Sequence, residues 1–219
     1  MSGEVRELYD YDALRARREA FMVVARVSDL TLVLGGHQAL SVVGSRVSRD
    51  GVALRRRRGG GGLVALRPGD LWVDWWLPSS DPRWSPDVGI SSRLVGGWWR
   101  AVLDARVAGD VDEHEGALEV DPELAVMCFA GRGPGEIFVD GRKAVGVTQW
   151  RVREGVFVST VAHARETRDA LRYLRHVPPG LEAALNHQTL ASLAVDGEDV
   201  LAGLSETSGG FVPTSYVIA

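Results

Sequence analysis

The chain has 219 residues, of which 45% are hydrophobic and 25% charged, and its formal net charge is −4. These values are typical of a globular protein with a substantial hydrophobic core and exclude a disordered or fibrous chain. The negative charge gives no general attraction to nucleic acid, no segment is apolar enough to span a bilayer, and the charged first twenty residues do not fit a signal peptide. Cys128 is the only cysteine, which excludes an intrachain disulfide and a cysteine-rich metal site and favours a cytoplasmic location.

The first half of the chain predicts a charged helix followed by short strands. The helix is expected over residues 4–20, and Asp87 is a plausible N-cap for a second helix whose apolar period begins at Val88. A proline-punctuated loop over 78–86 precedes that second helix. The strands are predicted over 21–25, 30–34, 52–54, 63–66 and 71–77.

The second half predicts a hairpin and then helices. Asp140-Gly141 lies between strands expected over 137–139 and 143–149, and Asp-Gly between apolar runs is a strong signal for a two-residue turn. A further strand is expected over 156–161, helices after residue 164 and between 181 and 204, and a loose tail or late edge strand from residue 208. Strands followed by helices indicate an α+β fold, with a mixed, largely antiparallel sheet flanked by helices in a single domain over residues 1–219.

Four arginines, Arg55 to Arg58, run directly into four glycines, Gly59 to Gly62. Backbone N–H groups without side-chain bulk, beside guanidinium groups, favour an anion-binding loop. The stretch lacks the Gly-Lys-Ser/Thr of a phosphate-binding P-loop and the spacing of a dinucleotide-binding fingerprint. A solvated surface loop or a basic patch on RNA are the alternatives, although no stacking aromatic residues interleave with the arginines.

Lys143 is the only lysine among 25 basic residues. An ammonium is a compact charge with rotatable donors, so the exception indicates a role that arginine does not fill. Cys128 ends an apolar run and is either a small buried hydrophobe or, beside lysine and arginines, a thiolate that could be acylated.

These segments together resemble the family of lipoate–protein ligases and octanoyltransferases. The matching residues are Arg-Arg-x-x-Gly-Gly-x-Gly from Arg55, then Cys128-Phe129, and then Glu136-Ile-x-Val-x-Gly-Arg-Lys143-x-x-Gly146-x-x-Gln149. The resemblance implies an α+β fold shared with biotin ligases and a catalytic role for Lys143 at the acyl carbonyl or adenylate phosphate. It also implies that the acyl and phosphate pocket is formed by Arg56, Arg58, Gly59, Gly60, Gly61, Gly62, Gly146, Gln149 and Ser159, with no protein-bound metal site.

The family has two mechanistic branches. Ligases would use ATP with Mg²⁺ and free lipoate or octanoate, whereas transferases would need no cofactor and would take octanoate from an acyl carrier protein onto Cys128. The resemblance implies a lipoyl carrier domain as acceptor and allows a separate accessory subunit, because the chain is too short for the additional C-terminal domain of two-part ligases. Neither nucleic acid nor a membrane is an expected partner.

Two departures separate the chain from this pattern. Family histidines are replaced by Ala65 and around Ser159-Thr160-Val161, with His37 and His163 as the nearest substitutes, and Trp150 replaces a polar residue. The absent histidines leave open a non-catalytic acyl- or adenylate-binding module.

Overall fold

The strands of the chain form two sheets in the computed structural model, which describes residues 5–209, 211 and 213–218. The strands are β1 (Arg6–Glu7), β2 (Phe21–Val27), β3 (Thr31–Leu34), β4 (Ala53–Arg56), β5 (Val64–Leu66), β6 (Leu71–Pro78), β7 (Val111–Glu113), β8 (Ile137–Val139), β9 (Arg142–Val152), β10 (Gly155–Ala162) and β11 (Pro213–Ile218). The α-helices are α1 (Tyr11–Arg15), α2 (Arg46–Arg49), α3 (Val88–Asp104), α4 (Leu181–Ala184) and α5 (Gly197–Thr207). Short 3₁₀ helices cover Leu40–Val42, Cys128–Ala130 and Arg168–Tyr173.

The larger sheet has seven strands in the order β11-β2-β6-β10-β9-β8-β7. Its neighbouring strands are antiparallel except for β11, which pairs in parallel with β2. The smaller sheet has the order β1-β4-β3-β5, and β4 is parallel to both of its neighbours. The predicted α+β class, with a mixed and largely antiparallel sheet flanked by helices, is therefore confirmed, although the strands divide into two sheets.

Strand β6 shows why the large sheet is buried on both faces. Its side chains alternate, so that Trp72 and Trp76 pack in the core shared with β3 and β5, whereas Val73 and Trp75 pack in the core shared with α3. Residues on both faces are apolar and large, which gives the near-continuous hydrophobic run seen in the sequence.

Local signals placed several elements correctly. Asp87 caps α3, because its side chain accepts the N–H of Ile90, and the Asp140-Gly141 turn adopts φ values of 50° and 72°. The tail forms an edge strand, β11, which confirms one of its two predicted alternatives. No helix among the described residues has the length and hydropathy needed to cross a membrane.

The helix predicted over residues 4–20 is wrong in extent. Residues 6 and 7 instead pair with β4, and α1 covers only Tyr11–Arg15 after the Asp10 cap. Tertiary contacts override local propensity here, because Tyr11 is buried against aromatic rings and Glu7 pairs with Arg58. The single domain over 1–219 stays a prediction, and residues 1–4, 210, 212 and 219 lie outside the described residues.

Candidate active site

A partly open cavity of about 390 Å³ lies where the glycine loop, the segment after Cys128 and strand β9 meet. Its lining combines apolar side chains with a few polar groups, which is the usual character of a small-molecule site. The lining residues are Gly60, Gly61, Gly62, Val88, Ser92, Leu118, Val120, Ala125, Met127, Cys128, Gly131, Gly133, Pro134, Glu136, Lys143, Val147, Thr148 and Gln149.

Arg57 supports the glycine loop through hydrogen bonds to its carbonyl oxygens. The Arg57 guanidinium donates to the carbonyl oxygens of Gly60 and Gly62, each 2.7 Å from Nη2. Within the described residues, the N–H groups of Gly60, Gly61 and Gly62 have no hydrogen-bond acceptor. Backbone N–H groups without an acceptor are the kind of donors that suit phosphate oxygens.

The loop also needs glycine for steric reasons. A Cβ at Gly62 would lie 2.6 Å from the carbonyl oxygen of Ala125 and 2.7 Å from the backbone nitrogen of Cys128. Gly61 has φ of 83°, in the left-handed region that favours glycine. The loop thus packs directly on the chain that leads into Cys128, which is how two motifs far apart in sequence form one wall.

Lys143 also lines the cavity, and its side chain is only 4% exposed. Its Nζ is 2.7 Å from Glu136 Oε2 and donates to the carbonyl oxygens of Gly131, at 2.7 Å, and Cys128, at 3.1 Å. It also lies 5.2 Å from the Phe129 ring centroid. Since an ammonium has three N–H donors, Lys143 must exchange one of these bonds before it can donate to a substrate oxygen.

Glu136 was part of the sequence motif, but no role followed from the residue pattern alone. Its carboxylate accepts the N–H groups of Gly133, at 2.7 Å, and Val147, at 3.3 Å, as well as the ammonium of Lys143. Burial raises the pKa of Glu136, whereas Lys143 and the two N–H donors lower it. Glu136 therefore fixes both the Lys143 ammonium and the loop that contains Gly133.

Cys128 begins a one-turn 3₁₀ helix instead of ending a strand. It is partly exposed, it lines the cavity, and its Sγ lies 3.5 Å from the position that a Cβ would occupy on Gly61. The thiol therefore lies beside the glycine loop. This geometry joins the three predicted features, the glycine loop, Cys128 and Lys143, around one cavity.

The mouth of the cavity is apolar. Leu118 and Val88 line it and are 70% and 53% exposed, and Val120, Met127 and Val147 continue the apolar lining. Sequence reasoning missed these residues, because Leu118 and Val120 come from the loop between β7 and Cys128, which has no regular pattern. Such a lining suits a hydrocarbon chain.

A second cavity of about 430 Å³ lies on the other side of Lys143. Lys143, Gly131 and Val120 line both cavities. The second cavity is more polar, with Glu119, Asp121, Arg132 and Asn186 among its lining residues. The ammonium thus lies between an apolar and a polar space.

Three residues expected in the pocket lie outside its lining. Arg56 Nη1 donates to the carbonyl oxygens of Gly35, Gly36 and Gln38, so it supports a neighbouring loop. Arg58 points to the surface and pairs with Glu7 and Asp12. Gly59 packs against Thr148 and Gln149 of β9, where its ideal Cβ would be 3.2 Å from both residues.

Three other expected residues lie in or beside the site. Gln149 lines the main cavity and donates to the carbonyl oxygen of Val88. Gly146 and Ser159 line a small inner cavity of about 10 Å³ behind Cys128. Gly146 also leaves room for Phe129, whose Cε2 would be 3.2 Å from an added Cβ.

The candidate substitute histidines do not line the cavity. His37 is exposed, and His163 is buried with its Nδ1 3.0 Å from Asp70 Oδ2. Ala65 lies in the core, and Trp150 packs against Tyr11 with a ring-centroid distance of 5.3 Å. Trp72, Trp75 and Trp76 are buried and pack in the hydrophobic cores.

Comparison with known proteins gives matches among solved structures only. No protein-family model matches the chain, and no curated protein matches it. A lipoate-protein ligase A bound with ATP superimposes with a TM-score of 0.73 at 18% identity, covering 99% of this chain and 90% of that one. A Thermoplasma acidophilum protein with bound lipoic acid, proposed to be a lipoate protein ligase, gives 0.70 at 17% identity over 99% and 89%.

A third structure is a bipartite lipoate protein ligase from Thermoplasma acidophilum, studied with its E2 lipoyl domain. It superimposes with a TM-score of 0.71 at 16% identity, covering 97% of this chain and 81% of that one. The chain therefore has the fold of the lipoate–protein ligase catalytic domain. The resemblance inferred from the motifs is confirmed at the level of fold.

Proposed function

We propose that the chain transfers an octanoyl or lipoyl group to a lysine of a carrier domain. The observation that supports this most is the joint placement of Lys143, Cys128 and the Gly60 to Gly62 loop around one apolar cavity. An acyl chain would occupy the space between Val120, Met127 and Val147, with its carbonyl near Lys143. The apolar lining would shield the acyl chain from water, and the polar groups would bind the acyl carbonyl and its leaving group.

In a ligase route, the carboxylate of the free acid would attack the α-phosphate of ATP, form the acyl-adenylate and release pyrophosphate. The acceptor lysine amine would then attack the acyl carbonyl, form the amide and release AMP. The free N–H groups of Gly60, Gly61 and Gly62 fit the phosphate of such an intermediate, as does the Lys143 ammonium. Lys143 would exchange its bond to the Gly131 or Cys128 carbonyl oxygen for one to the substrate, while Glu136 keeps it in place. Magnesium ions in nucleotide sites are held largely by phosphate oxygens and water, so this fit needs no dedicated cluster of carboxylates.

In a transferase route, Cys128 accepts the acyl group from an acyl carrier protein. The thiolate would attack the thioester carbonyl, form the new C–S bond and release the carrier thiolate. The amine of the acceptor lysine would then attack the Cys128 thioester, form an amide and release the Cys128 thiolate, with the amine proton passing to solvent. Contact between Cys128 and the glycine loop supports this route, because a developing oxyanion would lie near backbone N–H donors.

The acceptor in either route is a lipoyl carrier domain, and an accessory subunit remains compatible with the size of the chain. One structural neighbour was studied with its lipoyl domain and is bipartite, which supports both proposals. A cytoplasmic location stays a prediction.

Two donor assays distinguish the routes. With octanoyl carrier protein, the transferase route predicts a mass increase of one octanoyl group on the chain, lost in Cys128→Ser. With lipoate, ATP and Mg²⁺, the ligase route predicts acid-dependent exchange of pyrophosphate into ATP, lost in Lys143→Met. Ligand binding without turnover from either donor would instead establish a non-catalytic binding module.

A further inference from the structure

Arg57 is a buried cation without a carboxylate partner among the described residues. Its side chain is 1% exposed, and its guanidinium donates only to backbone carbonyl oxygens, those of Gly60, Gly62 and Val33. Buried arginines ordinarily pair with a carboxylate, because an uncompensated charge is costly in a protein interior. The arrangement thus keeps a positive charge where stability alone would not favour it.

The guanidinium lies beside Cys128. Arg57 and Cys128 both line the inner cavity, and one point, the ideal Cβ position of Gly61, lies 3.1 Å from Arg57 Nη2 and 3.5 Å from Cys128 Sγ. The inner cavity, at about 10 Å³, has room for at most one water molecule. Little solvent therefore separates the two groups on the inner side, whereas Cys128 faces the main cavity on the other.

Nearby charged groups compensate the Arg57 charge only in part, because the Asp74 carboxyl group is only partly ionised near neutral pH. Lys143 reaches the Cys128 carbonyl, but its own charge is matched by Glu136. Burial raises the pKa of Asp74 to about 7, and burial also raises the pKa of Tyr11, which keeps that phenol neutral. Burial lowers the pKa of Arg57, whereas Cys128, Tyr11 and Asp74 raise it, and an arginine stays protonated in proteins.

We infer that Arg57 is a positioning residue of the proposed acyl-transfer site, which orients the glycine loop through the Gly60 and Gly62 carbonyls and places a positive charge near the Cys128 sulfur. The acyl-transfer context rests on the proposed function. The placement of the charge near Sγ does not, since it follows from the position of Arg57 alone. Holding the carbonyls towards Arg57 also leaves the loop N–H groups available to a ligand.

The reactivity of Cys128 towards iodoacetamide tests this inference. The thiolate forms a C–S bond at the iodine-bearing carbon and displaces iodide, and intact mass follows the reaction because Cys128 is the only cysteine. In Arg57→Gln, which keeps N–H donors but removes the charge, we expect alkylation near neutral pH to slow by at least about fivefold, because a positive charge near the reacting sulfur is lost. Arg57→Lys, which keeps a charge, should recover most of the rate.

Arg56→Gln is the matched control. Arg56 also donates to three carbonyl oxygens, but it lines neither the main cavity nor the inner one. Its rate should stay within about twofold of the wild-type rate, because a charge outside the site is screened by solvent. A folded Arg57→Gln that reacts like wild type, or an equal slowing in Arg56→Gln, would overturn the inference.

A measurement on the wild-type chain covers the case in which Arg57→Gln does not fold. The rate with anionic iodoacetate is divided by the rate with neutral iodoacetamide, first for the native chain and then for the chain unfolded in urea. A cation near Sγ that is only partly compensated should raise this ratio severalfold in the native chain. A native ratio equal to or below the unfolded one would overturn the inference, whether or not acyl transfer is observed.

Discussion

The buried pair of Lys143 and Glu136 gives a sharp stability prediction. Both side chains are about 5% exposed or less, and their charged atoms are 2.7 Å apart. Lys143→Met leaves Glu136 buried without its cation, so that burial alone acts on the carboxylate and its pKa rises further above the unfolded value of about 4.3. Between those two pKa values the native state holds one more proton than the unfolded state.

This difference in bound protons fixes the direction in which stability changes with pH. The free energy of unfolding of Lys143→Met falls as pH rises, by up to about 1.4 kcal/mol per pH unit, because the native carboxyl group resists ionisation. Between about pH 5 and about pH 7.5 the loss relative to wild type should therefore grow by about 3 kcal/mol at most. In the wild type, Lys143 opposes the effect of burial and the slope should be smaller.

Urea unfolding followed by tryptophan fluorescence measures this difference at the two pH values, since the chain has seven tryptophans. Arg153→Met is the control, because the Arg153 side chain is 94% exposed and its removal should not alter the pH dependence. A destabilisation by Lys143→Met that is equal at both pH values would refute the buried ion pair as described.

Three further predictions concern the glycine loop, Arg58 and His187. Gly62→Ala should lower the free energy of unfolding by more than about 2 kcal/mol, because the added Cβ clashes with the backbone. Gly60→Ala should change it by less than about 1 kcal/mol, because no atom lies within 4 Å of the added Cβ. Equal melting temperatures of the two variants would contradict this prediction. Arg58→Ala should keep the rate of acyl transfer within about twofold of wild type, because the Arg58 guanidinium pairs with surface carboxylates. A larger loss of rate would show that Arg58 takes part in the site. Burial lowers the pKa of His187 to about 4, so its neutral form contributes stability above the unfolded pKa of about 6.5, and that contribution is lost as pH falls towards 4. In His187→Leu the free energy of unfolding should therefore depend less on pH between about 6.5 and 4. A pH dependence equal to that of wild type would count against this prediction.

The site could be predicted from sequence where its residues act through backbone chemistry or rare residue types. A run of glycines and a single lysine are visible without a structure, and both line the cavity. The roles of Arg56 and Arg57 could not be separated, because Arg56 ends β4 and Arg57 follows it, and the sequence does not show which guanidinium group turns towards the glycine loop. The pattern therefore assigned Arg56 to the pocket, whereas Arg57 is the arginine beneath the glycine loop.

The fold was predictable for similar reasons. Strand β6 is an apolar run interrupted by Asp74, β10 is one interrupted by Ser159-Thr160, and α3 has a capped apolar period, so local pattern and final structure agree. The N-terminal segment was not predictable, because its structure depends on contacts of Glu7 and Tyr11 with distant residues. The partition of strands into two sheets likewise depends on long-range pairing that periodicity does not encode.

The role of Lys143 in acyl transfer is most directly tested by the intact mass of a lipoyl carrier domain incubated with the chain. Two donors are supplied in parallel, lipoate with ATP and Mg²⁺, and octanoyl carrier protein, with folded Lys143→Met beside wild type. We expect one acyl group on the acceptor lysine with wild type from at least one donor, and none with Lys143→Met. No modification from either donor, or full modification by Lys143→Met, would contradict the proposed function.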